Sequence, residues 1–557
     1  MKHLRFGLML NGNIVEKWQY NVVKTLIDNN IELALVVKNG NKQEEKTPIT
    51  EKIRKYPYKR LFFRLWNRYI FNPSSKTATD ISDIIKDKDC IVCKTRKKGV
   101  STIFNDGDIE IISSYHLDFL LRFGFNIIRG DILKTAHYGI WSFHHDDERI
   151  IRGGPPGFWE FIKKMPSNGV ILQRLTDELD KGYIIKRVQF NTLTHSYKAH
   201  LDQIYYGASV LPLLACKDLV NNSELKEECS KSKAPILHPP RNYLMLYYFW
   251  LSIWRRITYS VNELMRQEDW NVGYCMTSPQ KFIDCKDKES LNIQWFKKKQ
   301  KYEYFADPFI IKTDKDTYIF FEWYSYKNGK GDIAVTLQSE RFQTYHRITD
   351  FHEHRSYPYI FEYEGIIYCL PEAYQTGKLT LYRFNEEKLT LEEDSTLIEG
   401  QNIVDATLFY DNKKWYLFTV PQEYSHTHLM IYHADNLRGP YKEAGNNPVK
   451  IDCHSARPAG KILRYNNINI RPSQNCTKHY GQSIILNEII ELSVNKYSEK
   501  ETKTISPIMG SEYNQGMHTI NGNEEICVFD GKRFVFTWQG FKNQLSQKIT
   551  KRRKRKY

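Results

Sequence analysis

An α/β domain built on a mostly parallel, doubly wound sheet, followed by an all-β five-bladed propeller, is the fold class the sequence predicts. Three observations carry it. Strand-like and helix-like periods alternate over residues 4 to 220, helical periodicity vanishes from about Ile293, and one short motif returns five times in the second half.

The first half opens as β-α-β. Arg5-Phe6-Gly7-Leu8-Met9-Leu10 reads as a strand, Asn11-Gly12-Asn13 as a polar turn, a helix runs on to Leu26, and a second strand covers residues 31–37. Further strands are expected at 90–93, 109–112, 119–123 and 170–174. The implied boundaries are 1–215 for the α/β domain, 216–290 for a linker and helical connector, 291–545 for the propeller and 546–557 for a basic tail. The recurring motif is Ala306-Asp307-Pro308-Phe309, Ser356-Tyr357-Pro358-Tyr359, Val404-Asp405-Ala406-Thr407, Ala456-Arg457-Pro458-Ala459 and Met517-His518-Thr519-Ile520, at intervals of 50, 48, 52 and 61 residues. A period near fifty with several strands per unit is that of a propeller. Five blades bring Asp307, Tyr357, Asp405, Arg457 and His518 to one mouth of the channel, where Glu322 and Glu372 can join as carboxylates. Two placed carboxylates are the minimum for inverting glycoside chemistry, one activating water and one protonating the leaving oxygen. The alternative is that Asp at a blade start only ties down neighbouring amides.

The 557 residues carry 81 Lys plus Arg against 65 Asp plus Glu, a net charge of +16, with 41% apolar and 14% aromatic residues. This composition supplies a core and excludes a wholly disordered chain. No stretch approaches the roughly 20 apolar residues of a membrane helix, and the Met1-Lys2-His3-Leu4-Arg5 start predicts no signal peptide. Of ten cysteines only Cys90 and Cys93 are closely spaced, within a run that reads as a buried strand. Reduced cytoplasmic thiols are therefore expected, and no metal. Positive charge gathers in the tail, expected to be solvated and disordered, and in residues 52–68, where Arg54, Lys55, Lys59, Arg60, Arg64 and Arg68 alternate with aromatic and aliphatic residues as in a basic amphipathic helix. A solvated face packed on its domain is the usual outcome, and peripheral contact with an anionic membrane the other. Residues 243–254 are apolar but too short to span a bilayer, and suit a helix packing two domains. No nucleic-acid motif is present, so no nucleic-acid partner is expected.

The stretch containing Trp141-Ser142-Phe143-His144-His145, Arg152-Gly153-Gly154-Pro155-Pro156 and Leu179-Asp180-Lys181-Gly182 resembles the formyltransferase family, over residues 1–215 and most strongly over 115–190. The resemblance implies a Rossmann-like fold and transfer of a formyl group from 10-formyltetrahydrofolate to an amine. His144 would donate to the oxyanion or protonate the leaving nitrogen, and Asp180 would orient the imidazole. The family's Asn is replaced by Ser142, which leaves one donor of less fixed direction. Arg122, Phe123, Gly124, Arg152 and Gly153 would shape the pterin pocket. The second half is similar to family 43 glycosidases, and more so to the propeller of plant glucosamine inositolphosphorylceramide transferases, through Phe305-Ala306-Asp307-Pro308-Phe309, residues 356–365 and Leu370-Pro371-Glu372. Asp307 would match the glycosidase base and Asp405 the supporting Asp. Where those enzymes place their acid Glu, this chain has His454-Ser455-Ala456-Arg457-Pro458, and an Arg suits a phosphate or carboxylate.

The expectation is a cytoplasmic N-formyltransferase, at most peripheral at the inner membrane face, acting on an amino sugar carried by a nucleotide or a glycolipid in surface-glycan assembly, with a propeller that binds or modifies the glycan. Two alternatives stand beside it: a glycosyltransferase or glycoside-active enzyme working through the propeller with a degenerate formyltransferase domain, and a non-catalytic glycan-binding protein.

Overall fold

A computed structural model describes residues 3–41, 58–99, 101–178, 182–222, 225, 227–230, 232–298, 302–349, 351–465 and 468–554. The chain divides into two compact units, Met1–Arg256 and Ile257–Tyr557.

The first unit is organised by an eight-stranded sheet. Its order is Glu228–Cys229, Tyr183–Asn191, Ser167–Arg174, Ile140–His144, Phe119–Arg122, Arg5–Leu10, Glu32–Asn39 and Cys90–Cys93. The five strands from Ile140–His144 to Cys90–Cys93 run parallel, whereas the other three pair antiparallel, so the 170–174 strand joins the sheet in the opposite sense to that of a uniformly parallel series. Arg5–Leu10 lies inside the sheet and buries Phe6, Leu8, Met9 and Leu10, as a strand covered on both faces must. The helix Lys17–Asp28 buries Trp18, Val22, Val23 and Leu26 at helical spacing, and starts with a Glu16–Gln19 capping box.

Two expectations for this unit are corrected. Residues 109–112 belong to the helix Asp106–Ser114: Asp106 and Asp108 favour its N-terminal turn, and two adjacent exposed residues, Glu110 and Ile111, separate half-buried Ile109 from buried Ile112, a helical rather than an alternating pattern. Cys90–Cys93 is a strand at the sheet edge and buries Cys93 alone.

The second unit consists of five antiparallel sheets in the manner of propeller blades. The first spans Glu303–Lys312 to His346–Arg347, the second Ser356–Tyr363 to Thr390–Glu399, the third Ile403–Asp411 to Lys450–Ile451 and the fourth Leu463–Tyr465 to Tyr497–Ile505. The fifth joins Ile520–Gly522 and Cys527–Val535 to Gln267–Cys275 and Gln294–Trp295. Gln267–Cys275 pairs with Cys527–Val535 over its whole length, from Gln267 opposite Val535 to Cys275 opposite Cys527. The expected connector, 216–290, thus contains a blade strand, and the β unit begins well before 291. At the other end the helix Trp538–Lys554 takes in most of the residues expected as a disordered tail, with Lys548 Nζ 2.8 Å from Glu263.

Candidate functional site

The blade-start motif has a local structural meaning. In the first three blades the inner strand pairs regularly with its neighbour except at the motif, where register slips between Ala306 and Phe309, Ser356 and Tyr359, and Val404 and Thr407. Asp307, Tyr357 and Asp405 each take a positive φ there, 52°, 44° and 52°. Bulges re-aim side chains and are over-represented beside functional sites, and left-handed backbone on non-glycine residues is kept where its surroundings enforce it. The Pro or Ala after it lies in the unpaired part of the bulge, where no ladder donor is required.

These bulges assemble a buried polar cluster. The Asp307 carboxylate accepts from the Thr519 hydroxyl (2.8 Å) and the Tyr357 main-chain N–H (3.3 Å), and its own N–H donates to Asp530 (3.2 Å). His518 lies between two acids, its Nδ1 2.6 Å from Asp530 and its Nε2 3.3 Å from Asp307. Burial alone would lower the His518 pKa, but Asp530 and Asp307 outweigh it and hold the imidazole above its ordinary value. The Asp307 carboxyl is pushed up to about 6, chiefly by burial, with His518 opposing and Asp405 and Asp530 adding. Asp405 is bound in a fork by Arg457, which also reaches it through Nη2 at 3.2 Å, and accepts from Gln474 (2.7 Å). The Asp405 N–H donates to Glu372 (3.2 Å), whose carboxyl is driven well up by burial and then by Asp405. Glu322 is driven up likewise, by burial first and Asp307 next, and its Oε1 has no hydrogen-bond partner among the described residues. Gly331 lies against it, and a Cβ there would sit 2.4 Å from that oxygen. Aromatic rings complete the wall: Trp270 packs on His518 with centroids 4.0 Å apart, and Tyr480 lies under the Arg457 guanidinium at 4.7 Å.

Six of the seven propeller residues named from sequence therefore bring their side chains to this cluster. Tyr357 is the exception: only its main chain enters the cluster, while its phenol is buried between the Thr407 hydroxyl (2.9 Å) and the Gly460 N–H (2.8 Å). Sequence reasoning missed Trp270, Gln474, Tyr480, Asp530 and Lys532, which stand outside the repeat. Lys532 is fully buried and donates to Glu268 (2.9 Å) while lying over Trp270. Asp307, His518 and Asp530 are, among the described residues, a group whose ligand atoms are close enough to hold a metal. His518 Nδ1 and Nε2 face Asp530 and Asp307 at 2.6 and 3.3 Å, and Nδ1 has no hydrogen-bond partner among the described residues.

In the first unit a cavity of about 320 Å³ is lined by Asn11, Arg122, Phe123, Gly124, Ser142 and His145, among others. Gly124 is required there, because a Cβ would come 2.8 Å from the Leu10 carbonyl carbon. The Ser142 hydroxyl is engaged by the Arg122 side chain, Nε at 3.2 Å and Nη2 at 2.9 Å, so Arg122 enters through its guanidinium and not only its backbone. His144 ends its strand half-buried, with Nε2 4.0 Å from Asp146. Asp180, expected to orient it, lies outside the described residues. Asp146 and Glu160, which the sequence reading passed over, are both buried. Burial raises Glu160 to about 7, and burial together with Glu160 lifts Asp146 well above the usual carboxylate range. Arg152 and Gly153 pair in parallel with Ile236–Leu237, Arg152 donating to the Ala234 carbonyl (2.8 Å). Gly153 has φ 101° and no room for a Cβ beside the Leu237 carbonyl.

In comparison with known proteins, residues 294–530 match the family model described as glucosamine inositolphosphorylceramide transferase 1, N-terminal. Among individual proteins, the glucosamine inositolphosphorylceramide transferase 1 of Oryza sativa subsp. japonica is 29% identical over 203 residues, 35% of this chain and 27% of that protein. That of Arabidopsis thaliana is 27% identical over 228 residues, 39% of this chain and 29% of the other. The chain thus spans under a third of the length of these relatives. Solved structures similar to it include a thermostable family-43 glycoside hydrolase (TM-score 0.30, 13% identity, 36% of this chain and 76% of that one). Another is a sugar 3N-formyltransferase in the presence of dTDP and 5-N-formyl-THF (TM-score 0.27, 13% identity, 42% and 70%).

Proposed function

We propose that this protein is a glycan-active transferase whose propeller mouth takes the sugar of a glycolipid or related glycoside. The observation that carries this reading is the cluster itself: the first and third bulges set the Asp307 carboxylate 3.3 Å from His518 and the Asp405 N–H on Glu372, and burial raises the proton affinity of both Asp307 and Glu372. Asp307, close to neutrality in its proton affinity, would take the proton of the attacking hydroxyl. Glu372, kept neutral by burial, would give one to the leaving oxygen. Arg457 suits a phosphate on the donor or the lipid head, and the relatives' names, which join glucosamine transfer to inositolphosphorylceramide, support an acceptor of that chemistry. The test is sugar transfer or glycoside cleavage by the full chain. Asp307→Asn should abolish it and His144→Ala leave it intact, whereas tight sugar binding with no turnover in the wild type would make the propeller a binding module.

A second reading, formyl transfer to an amino sugar in the first unit, is favoured by the cavity bordered by Gly124 and Ser142, with His144 two residues beyond Ser142 on the same strand. Residues 122–124 would hold a folate through their backbone, and it would supply the formyl carbon. His144 would donate to the formyl oxygen as charge builds there, in place of the Ser142 hydroxyl that Arg122 occupies. Turnover from 10-formyltetrahydrofolate to nucleotide-linked amino sugars, lost in His144→Ala and raised in Ser142→Asn, would establish it. No turnover in either protein would leave the cavity without that role.

A further inference from the structure

Two segments that are separate in sequence form one surface in the first unit. The helix Leu61–Tyr69 buries only Trp66 and exposes Phe62, Leu65 and Tyr69, the last 71% exposed. Within residues 242–256, the first part of the helix Asn242–Met265, the buried positions are Met245, Tyr248, Leu251 and Arg255, at helical spacing. The opposite side carries Trp250, Ile253 and Trp254, which are 58%, 63% and 54% exposed. The two helices are fastened together. Asn242 donates from its amide to the Tyr58 carbonyl (2.9 Å) and accepts from the Phe62 N–H (3.1 Å), and Trp66 packs edge-on against Tyr248 at 5.1 Å. Trp250 and Trp254 stack on each other in parallel planes.

The fringe of this surface is one-signed. Residues 58–70 and 241–256 contain Lys59, Arg60, Arg64, Arg68, Arg241 and Arg256, besides the buried Arg255, and no Asp or Glu. Exposed Trp and Tyr beside Leu and Ile, bordered by cations, match the boundary between acyl chains and anionic headgroups, where an indole or phenol keeps its polar edge wet and its ring in hydrocarbon. A symmetric second copy would set the same basic fringe against itself, on a chain already carrying +16. No helix among the described residues is long and apolar enough to cross a membrane. We propose that these two helices form a monotopic docking face that lies in the surface of an anionic lipid bilayer. The proposal stands independently of which chemistry either unit performs.

The test is flotation of the full chain with phosphatidylcholine vesicles that contain phosphatidylserine, against vesicles of phosphatidylcholine alone. Binding is expected to the first and to fall with salt. Removing two exposed cations, Lys59→Gln with Arg68→Gln, should weaken partitioning by about twenty-five-fold, at about five-fold for each charge near an anionic surface. Trp250→Ser with Trp254→Ser should lower it by about ten-fold or more. Both pairs are exposed, so circular dichroism should be unchanged. Quenching of wild-type tryptophan emission by brominated lipid, lost in Trp250→Phe with Trp254→Phe, reports insertion of those two rings. Equal flotation with both vesicle types, or no loss in the Trp variant, overturns the proposal. So does a dimer that the Trp changes dissociate, which would assign the face to a second copy.

Discussion

Asp307 sets the pH behaviour to be expected of the propeller site. Its folded carboxyl titrates at about 6, so chemistry that needs it ionised should rise through that pH, and in Asp307→Asn the rising limb should vanish with the activity, about 10²-fold or more. The stability sign is opposite. A raised carboxyl favours the protonated fold, so its contribution is complete below the ordinary Asp range and is lost as pH climbs through about 6. Glu160 gives a second case in the first unit. Raised to about 7 by burial, it favours the protonated fold, so wild type should lose stability relative to Glu160→Gln by about 1.4 kcal/mol per pH unit as pH climbs from the ordinary Glu range to about 7, with the difference level above that. Thermal unfolding across that range checks it, and a pH-independent difference would show that the Glu160 carboxyl titrates in the fold as it does in the unfolded chain. At this scale the sequence was readable where the repeat marked it, at Asp307, Asp405, Arg457 and His518. Asp530 and Trp270 escaped because neither sits on the motif. Asp146 and Glu160 escaped because two acids on a short loop and helix carry no periodic signature.

The fourth blade shows what one element does for the cluster. Arg471 is fully buried and donates to Glu499 (2.8 and 2.7 Å) and to the carbonyls of Ser455 (2.6 Å) and Ala456 (3.2 Å), just before Arg457. Burial would raise Glu499, but Arg471 and Lys450 hold it down to about 2. The stability it contributes is therefore present above the ordinary Glu range and fades as pH falls towards 2. Arg471→Met strands a buried carboxylate and frees the 455–456 backbone, and should cost about 3–5 kcal/mol by urea unfolding while also weakening any ligand held by Arg457. An unchanged midpoint would mean that Lys450 alone satisfies Glu499. Strands were legible wherever aromatic and β-branched residues alternated between turns. The helix Asp106–Ser114 was misread because a short β-branched run carries no periodicity of its own, and its acidic first turn was the overlooked signal. The C-terminal helix was misread because its charges suggested solvation, and solvation does not forbid a helix.

For the whole molecule, two units and a period near fifty could be read from the sequence, but the closure of the ring could not. Gln267–Cys275 meets Cys527–Val535 across more than half the second unit's length, and a pairing that distant leaves no local mark on either strand. A chain ending after Phe536 should keep its β structure and urea midpoint, whereas one ending after Gly522 should lose cooperative unfolding, as read by near-ultraviolet circular dichroism. Comparable transitions in the two would show that the ring tolerates a gap. The same pairing has a bearing on synthesis. A ribosome emits Gln267–Cys275 first and its partner last, and at about 5–20 residues per second the interval is on the order of tens of seconds. Throughout that interval the nine residues of Gln267–Cys275 wait without their partner strand, their backbone donors and acceptors open to pairing with a neighbouring nascent chain. Translation speed and chaperone supply should therefore govern the yield of this protein more than the final stability of its blades.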